Sequence, residues 1–143
     1  MGKYMYGKGS ESQLVTVKTA LQGVCKKALS YGVMDASVIQ GVRSKEEQNH
    51  YFNTGKSKVK WPDSKHNVVA PTELAEAVDI APFVNGKVSW KKDHCLVWAG
   101  LMLAAAKEEG VKLRWGGCWS GEPGDIGNQA FEDLVHFELV PSL

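Results

Sequence analysis

The chain has 143 residues and a formal net charge of +1, with 43% hydrophobic and 23% charged residues. These values are typical of a soluble protein with a core of its own, and we predict one domain over residues 1–143. The near-neutral charge gives no field for nucleic acid, and no apolar run is long enough to insert into a membrane.

The first half of the chain predicts two helices separated by a short strand. Apolar residues recur at helical spacing and predict an amphipathic helix over residues 11–31. Residues 37–42 are prone to form a strand. Ser44, with Glu47 three residues later, forms a capping box that opens a second helix through about Phe52.

The second half predicts short strands and one long helix. Asn85 and Gly86 together predict a turn. Asp93 can cap the following helix, and Gly110 can end it. The predicted strands cover residues 77–81, 111–115 and 135–139. Helices mixed with short strands, without regular β-α-β spacing, predict an α+β fold.

The cysteines and the amino terminus indicate a reducing environment. Cys25, Cys95 and Cys118 are odd in number and widely spaced, which predicts neither a disulfide framework nor a thiolate zinc site. The first ten residues lack the apolar segment of a secretion signal. We therefore expect the chain to be made in a cytosol, and to need another component for release if its substrate lies outside.

Two histidines and an aspartate are the residues that carry chemistry. Asp79 and His136 each alternate with apolar neighbours in a predicted strand, so their side chains leave the apolar face. His66 provides a second imidazole upstream. Two His and one Asp make a three-ligand set that would leave a Zn²⁺ position open for water. We interpret the chain as a zinc hydrolase.

Carboxylates near His136 could support that chemistry. Asp133 could take a proton from the attacking water and return it to the leaving amine. An isolated aspartate is more typical of a turn, but the surrounding string favours the catalytic interpretation. Glu138 shares a face with His136 and is equally well interpreted as a partner that orients it or as a surface carboxylate. His50 and His94 are interpreted as structural.

Three further features could contact a substrate. Arg43 could bind a carboxylate or stabilise an oxyanion, and a surface ion pair is the equal alternative. Trp119 is a better candidate for a groove wall than Trp115, which core packing explains equally well. The lysines within residues 56–60 are typical of a solvated loop, and attraction to an anionic polymer such as a cell wall is the alternative.

Six blocks of the sequence occur in the order of a known family. They cover residues 41–48, 55–58, 64–66, 77–82, 115–119 and 133–139. These blocks resemble the D-alanyl-D-alanine carboxypeptidase and L-alanyl-D-glutamate peptidase family of zinc enzymes, particularly its single-domain phage endolysins. The resemblance implies an α+β fold shared with the hedgehog signalling domain, with a small antiparallel sheet and flanking helices. It also implies one zinc ion and cleavage of peptidoglycan stem peptides.

The resemblance also assigns roles by position. It implies zinc ligands at His66, Asp79 and His136, a catalytic acid or base at Asp133, an arginine near the substrate at Arg43, and substrate contacts at Gln48 and Ser64.

The spacing of the acidic ligand departs from the family pattern. The family places this residue seven positions after the histidine, but Asp79 lies thirteen positions after His66. Glu73 occupies the seven-residue offset. We prefer Asp79 because its neighbours match the family and those of Glu73 do not. An inserted loop over residues 67–76 can lengthen the connection at modest entropic cost.

We therefore predict an L-alanyl-D-glutamate endopeptidase of the phage endolysin type. It would be a monomer, made in the host cytoplasm, that acts on the stem peptides of the cell wall after its release. One alternative is a D-alanyl-D-alanine carboxypeptidase of the same family. A second is a zinc-bearing module that recognises the wall without catalysis, against which the presence of Asp133 argues.

Overall fold

Four α-helices and five β-strands are found over residues 3–70 and 72–141, the part of the chain that the computed structural model describes. In chain order they are α1 (Lys8–Leu14), α2 (Thr19–Ser30), β1 (Asp35–Gln40), α3 (Lys45–Asn53), β2 (Ala77–Val84), β3 (Lys87–Val88), α4 (Lys92–Glu108), β4 (Leu113–Trp115) and β5 (His136–Leu139). The predicted α+β class is confirmed. None of these described helices is long and apolar enough to cross a membrane.

The strands form one antiparallel sheet in the order β1-β2-β5-β4, and β3 adds to β2. Within β2, Val78 and Ile80 are fully buried in the core while Asp79 points to the opposite face, as the alternation predicts. In the register between β2 and β5, Asp79 lies directly opposite His136. Residues opposite each other on one face have side chains in contact, so this register joins the carboxylate to the imidazole.

The core lies between the inner face of the sheet and helices α2 and α4. Its largest fully buried apolar side chains include Leu14, Leu21, Ile80, Trp98, Met102 and Phe137. The three cysteines are also buried, as free thiols. This apolar layer fixes the inner face of β2 and β5, and it leaves their outer face for polar side chains.

The helix predicted over residues 11–31 is wrong in extent, because two helices, α1 and α2, occupy this part of the chain. They are separated at Val17, which forms a parallel bridge with Ala75. Thr16 and Lys18 exchange backbone hydrogen bonds with Ala75 at 2.9 Å. The connection before β2 therefore interrupts the helix, and no local pattern in residues 15–18 could indicate so distant a partner.

The predicted capping box and turn are confirmed, but β1, β2 and β4 differ by two or three residues from the strands predicted over residues 37–42, 77–81 and 111–115. Ser44 and Glu47 form both hydrogen bonds of the capping box at the start of α3. Asn85 and Gly86 form the turn after β2 with φ values of 54° and 79°. The prediction that Asp93 caps α4 is wrong, because Lys91 occupies the N-cap position, without a side-chain hydrogen bond, and Asp93 lies in the first turn.

Candidate metal centre and cleft

His66, Asp79 and His136 converge on the outer face of the sheet, and all three are buried. His66 Nε2 lies 3.1 Å from Asp79 Oδ1 and 3.2 Å from His136 Nδ1. His136 Nδ1 lies 3.3 Å from the same Asp79 oxygen. The candidate ligand atoms all lie within 4.8 Å of one another, so this group could hold a metal ion.

Each imidazole uses its other nitrogen for a hydrogen bond that fixes the ring. His66 Nδ1 donates to the carbonyl of Gly41 at 2.7 Å, and His136 Nε2 donates to Glu138 Oε1 at 2.8 Å. In the neutral rings, these bonds leave a lone pair on each nitrogen that faces Asp79. A Cβ at Gly41 would come within 2.1 Å of Thr16 Oγ1, so the close approach of this carbonyl requires glycine.

The donor set fits a metal cation. Two imidazole lone pairs and a carboxylate oxygen within 3.3 Å of one another repel unless a positive charge lies between them. Protons on the two rings can take the place of that positive charge. Burial favours the neutral form of Asp79, but the charge of a protonated His66 and hydrogen bonds from both protonated rings hold its pKa well below its usual range. Burial also opposes the charged form of His136, but hydrogen bonds to Asp79 and Glu138 raise its pKa to about 9. The negative surroundings therefore favour a cation at this position.

Glu138 is a buried partner of His136 and is not a free surface carboxylate. Lys65 Nζ and Arg114 Nη1 both lie 3.4 Å from its second oxygen. Burial alone would raise the pKa of Glu138, but the hydrogen bond from His136 and the charge of Lys65 lower it. Of the two interpretations left open by the sequence, the contacts agree with the one in which Glu138 orients His136.

Arg43 forms an ion pair beside the histidines. Its Nη2 lies 3.1 Å from Asp79 Oδ2, and the two side chains are only 10% and 13% exposed. Its other nitrogens donate to Gln40 and Gln48 at 2.9 and 3.0 Å. The sequence left open an ion pair at the surface, and the structure places this pair largely inside the protein. Arg43 therefore fixes the orientation of the Asp79 carboxylate.

Asp133 lies half-buried in the same cleft, one turn before His136. Its carbonyl accepts a hydrogen bond from the His136 N–H at 3.1 Å, and its N–H donates to Gly116 at 3.0 Å. Burial and the negative charge of Asp79 raise the pKa of Asp133. Its carboxylate makes no hydrogen bond with another residue of the described chain. It is therefore available to exchange a proton with a bound molecule.

The cleft has a volume of about 530 Å³, within the range of sites that bind small ligands. Ser64 and Trp119 both line it. The Trp119 ring lies 5.5 Å from the His136 ring and stacks on Phe131 at 6.2 Å. Trp115, by contrast, is buried in the core. Trp119 thus forms a wall beside the imidazole.

Three residues singled out from the sequence lie away from the cleft surface. Gln48 is fully buried and lies behind Arg43, which uses it as an acceptor. His94 shares a hydrogen bond with Ser89, and His50 is exposed on α3. The structure therefore does not bring Gln48 to a position where it could touch a bound peptide.

Glu73 lies on the surface of the inserted loop. It is exposed, and its carboxylate accepts a hydrogen bond from the Ala70 N–H at 3.0 Å. It is not part of the group formed by the two histidines and Asp79. The inserted residues end at Ala75 and Glu76, which bond to Thr16, Lys18 and Lys65 before β2 begins.

A buried His-Asp-His set at the floor of an open cleft is typical of metal-dependent hydrolases. The family model described as phage L-alanyl-D-glutamate peptidase matches residues 2–140. The L-alanyl-D-glutamate peptidase of Escherichia phage T5 is 36% identical over 141 residues, which cover 96% of this chain and 98% of that protein. The chain belongs to this phage peptidase family, which confirms the resemblance seen in the sequence.

A solved structure agrees with this assignment. The crystal structure of Serratia marcescens L-Ala D-Glu endopeptidase ChiX matches with a TM-score of 0.76 and 29% sequence identity. The match covers 96% of this chain and 92% of that chain. The likeness therefore extends over nearly the whole fold, including the sheet that carries the candidate metal centre.

Proposed function

We propose that the chain is a zinc-dependent endopeptidase that cleaves the L-alanyl–D-glutamate bond of peptidoglycan stem peptides, and that it lyses the host of a phage. One observation carries the proposal: His66, Asp79 and His136 meet at the floor of an open cleft beside Asp133, in a chain of this peptidase family. Its partner would be the stem peptide, which it would cut as a monomer.

Zinc is the metal that we propose for this donor set, since the sequence resembles a family of zinc enzymes. The ion would be held by Nε2 of His66, Nδ1 of His136 and a carboxylate oxygen of Asp79, a combination of two imidazoles and one carboxylate found in catalytic zinc sites. When bound, zinc supplies Lewis acidity, which makes a water molecule acidic enough to act as a nucleophile near neutral pH. Glu138 and the Gly41 carbonyl would keep both rings in the tautomer that binds metal.

The remaining residues of the cleft would move a proton and position the peptide. Asp133, with its raised pKa, would take a proton from the attacking water and return it to the leaving glutamate amine. Arg43 would hold Asp79 and add positive charge near the carbonyl oxygen as negative charge develops there. Trp119 would pack against the peptide beside the scissile bond.

Removal of the metal is expected to abolish cleavage, and added zinc is expected to restore it. The measurement is mass spectrometry of purified peptidoglycan after digestion by the chelated and the reconstituted protein. New amino-terminal D-glutamate is the expected product. Release of D-alanine would instead indicate a carboxypeptidase, and zinc binding without any cleavage would indicate a recognition module. Full activity after complete removal of the metal would contradict the proposal.

Substitution Glu138→Gln is expected to weaken zinc binding by about 10- to 100-fold, because the loss of a carboxylate behind a ligating histidine has effects of this size. The amide has nearly the same shape but lacks the charge that orients and polarises His136. Zinc affinity would be measured by competition with a chromophoric chelator. Glu132→Gln is the matched control, since this exposed carboxylate lies 3.9 Å from Lys92 and away from the histidines. Equal affinities in the two variants would rule out the orienting role.

A further inference from the structure

Two lysines on the loop after α3 line the same cleft as the candidate metal centre. They are Lys56 and Lys58, and both are exposed. Lys56 Nζ lies 5.8 Å from the centroid of the Tyr51 ring, and Lys58 Nζ lies 5.2 Å from that of Phe131. An ammonium group over an aromatic face is held by the ring's quadrupole but keeps its charge and its hydrogen-bond donors.

Each lysine is connected to the metal centre through aromatic rings. The Tyr51 ring that contacts Lys56 also contacts the Arg43 guanidinium, at 4.8 Å, and Arg43 binds Asp79. On the other side, Phe131 stacks on Trp119, which lies against His136. Both ammonium groups therefore lie over aromatic rings whose own neighbours reach the candidate metal centre.

The backbone of this loop is fixed by the buried Gln48 side chain. Gln48 Nε2 donates to Ser57 Oγ at 2.8 Å and to the Val59 carbonyl at 2.7 Å. The N–H groups of Lys56 and Ser57 both donate to the Tyr51 carbonyl. Gln48 also accepts from Arg43, so one amide joins the loop to the floor of the cleft. The loop thus presents its lysines in a defined position.

Unlike the other positively charged side chains of the cleft, the two lysines have no carboxylate close to them in the described part of the chain. Arg43, Lys65 and Arg114 each lie within 4.0 Å of a carboxylate, either Asp79 or Glu138. Within residues 3–70 and 72–141, no carboxylate lies within that distance of Lys56 or Lys58. Two positive charges without partners therefore face a cleft in which a peptide would lie.

We propose that Lys56 and Lys58 bind a carboxylate of the substrate peptide on the glutamate side of the scissile bond, an inference that rests on the proposed function. A glutamate within a peptide uses one of its two carboxyl groups to continue the chain, so the other stays ionised unless it is amidated. The residue after it can supply a second carboxylate. Either group would receive charge-assisted hydrogen bonds from the two ammonium groups, and these bonds are stronger than neutral ones.

The test uses the tripeptide L-alanyl-D-glutamyl-L-lysine, joined through the glutamate side-chain carboxyl group and made in four forms. One form keeps both free carboxyl groups. In the second form the free glutamate carboxyl group is an amide, in the third form the terminal carboxyl group is an amide, and in the fourth form both are amides. With the wild type, amidation of the bound carboxylate should lower kcat/KM about tenfold, mainly through KM, which matches the loss of one exposed charge-assisted contact. The form that shows the loss identifies which carboxylate is bound.

The lysine variants then show whether these side chains carry the discrimination. Methionine keeps the aliphatic stem over the ring but removes the charge. Lys58→Met should therefore lose part of the discrimination between the acid and the amide, and the double variant Lys56→Met/Lys58→Met should cleave both at nearly equal rates. Lys60→Met is the control, because its ammonium lies 5.0 Å over Phe52 and it does not line the cleft. This variant should discriminate as the wild type does, and far-UV circular dichroism would verify that all variants are folded.

The failures of the two proposals can be told apart. If the wild type cleaves all four peptides at the same rate, or if the double variant still prefers the acid, the lysine site is overturned while the endopeptidase activity stands. If the reconstituted wild type cuts none of the alanyl-glutamate bonds, the proposed function itself is contradicted, and the lysine site with it.

Discussion

Substitution Asp133→Asn is expected to lower kcat by about 10²- to 10⁴-fold, the usual contribution of a general acid or base, with little change in zinc affinity. The amide keeps the shape of the side chain but cannot accept and return a proton. The backbone of this residue forms the turn that leads into β5, and the substitution leaves its hydrogen bonds to Gly116 and His136 in place. We therefore expect the variant to fold and to bind zinc as the wild type does.

The measurement combines steady-state hydrolysis of stem peptides with zinc titration of the same preparations. Glu132→Gln is the control, since it neutralises the adjacent, exposed carboxylate and should retain wild-type kcat. If Asp133→Asn kept its full kcat, the proton would have to be carried by another group, and the mechanism proposed for this cleft would be wrong. If it lost zinc instead, Asp133 would belong to the metal site.

Local sequence pattern could identify candidate residues of the metal centre, but it could not predict that they come together in the fold. Alternation with period two identifies Asp79 and His136 as side chains that leave an apolar face. That the two lie directly opposite each other depends on the register of β2 against β5, two strands far apart in the chain. Register follows from how both strands pack on the core, so it becomes visible only in the folded protein.

The roles of the supporting residues depended even more on tertiary contacts. From the sequence, Glu138 is equally well interpreted as a surface carboxylate or as a partner of His136. In the structure, Lys65 and Arg114 both contact its carboxylate, which favours the second interpretation. The sequence block that contains Gln48 resembles a substrate-binding segment, but its amide is used inside the protein to hold the loop that carries Lys58. Residues that support a site follow no characteristic sequence spacing, because their roles depend on which residues they contact in the folded protein.

The inserted loop shows how a change in spacing can leave a site intact. By the spacing that the resemblance implies, the residues within 67–76 place Asp79 six positions further along the chain than expected. The end of the loop is held by backbone hydrogen bonds of Ala75 and Glu76, which fix the start of β2. A longer flexible connection costs little entropy. A shift of one residue in the register of β2, by contrast, would point the Asp79 side chain towards the core.

Substitutions Asp79→Asn and Glu73→Gln are therefore expected to have opposite outcomes. Asp79→Asn removes a candidate ligand charge and should weaken zinc binding by more than about 100-fold, since even partners behind a ligand are worth 10- to 100-fold. It also leaves Arg43 largely buried without its carboxylate, which should lower the free energy of unfolding by about 3 kcal/mol. Glu73→Gln should change neither quantity, because that side chain is exposed and bonds only within its own loop.

Zinc titration and thermal unfolding of both variants are the measurements. Loss of zinc in Glu73→Gln, with Asp79→Asn unaffected, would place the acidic ligand at the seven-residue offset and would require a different arrangement of the loop.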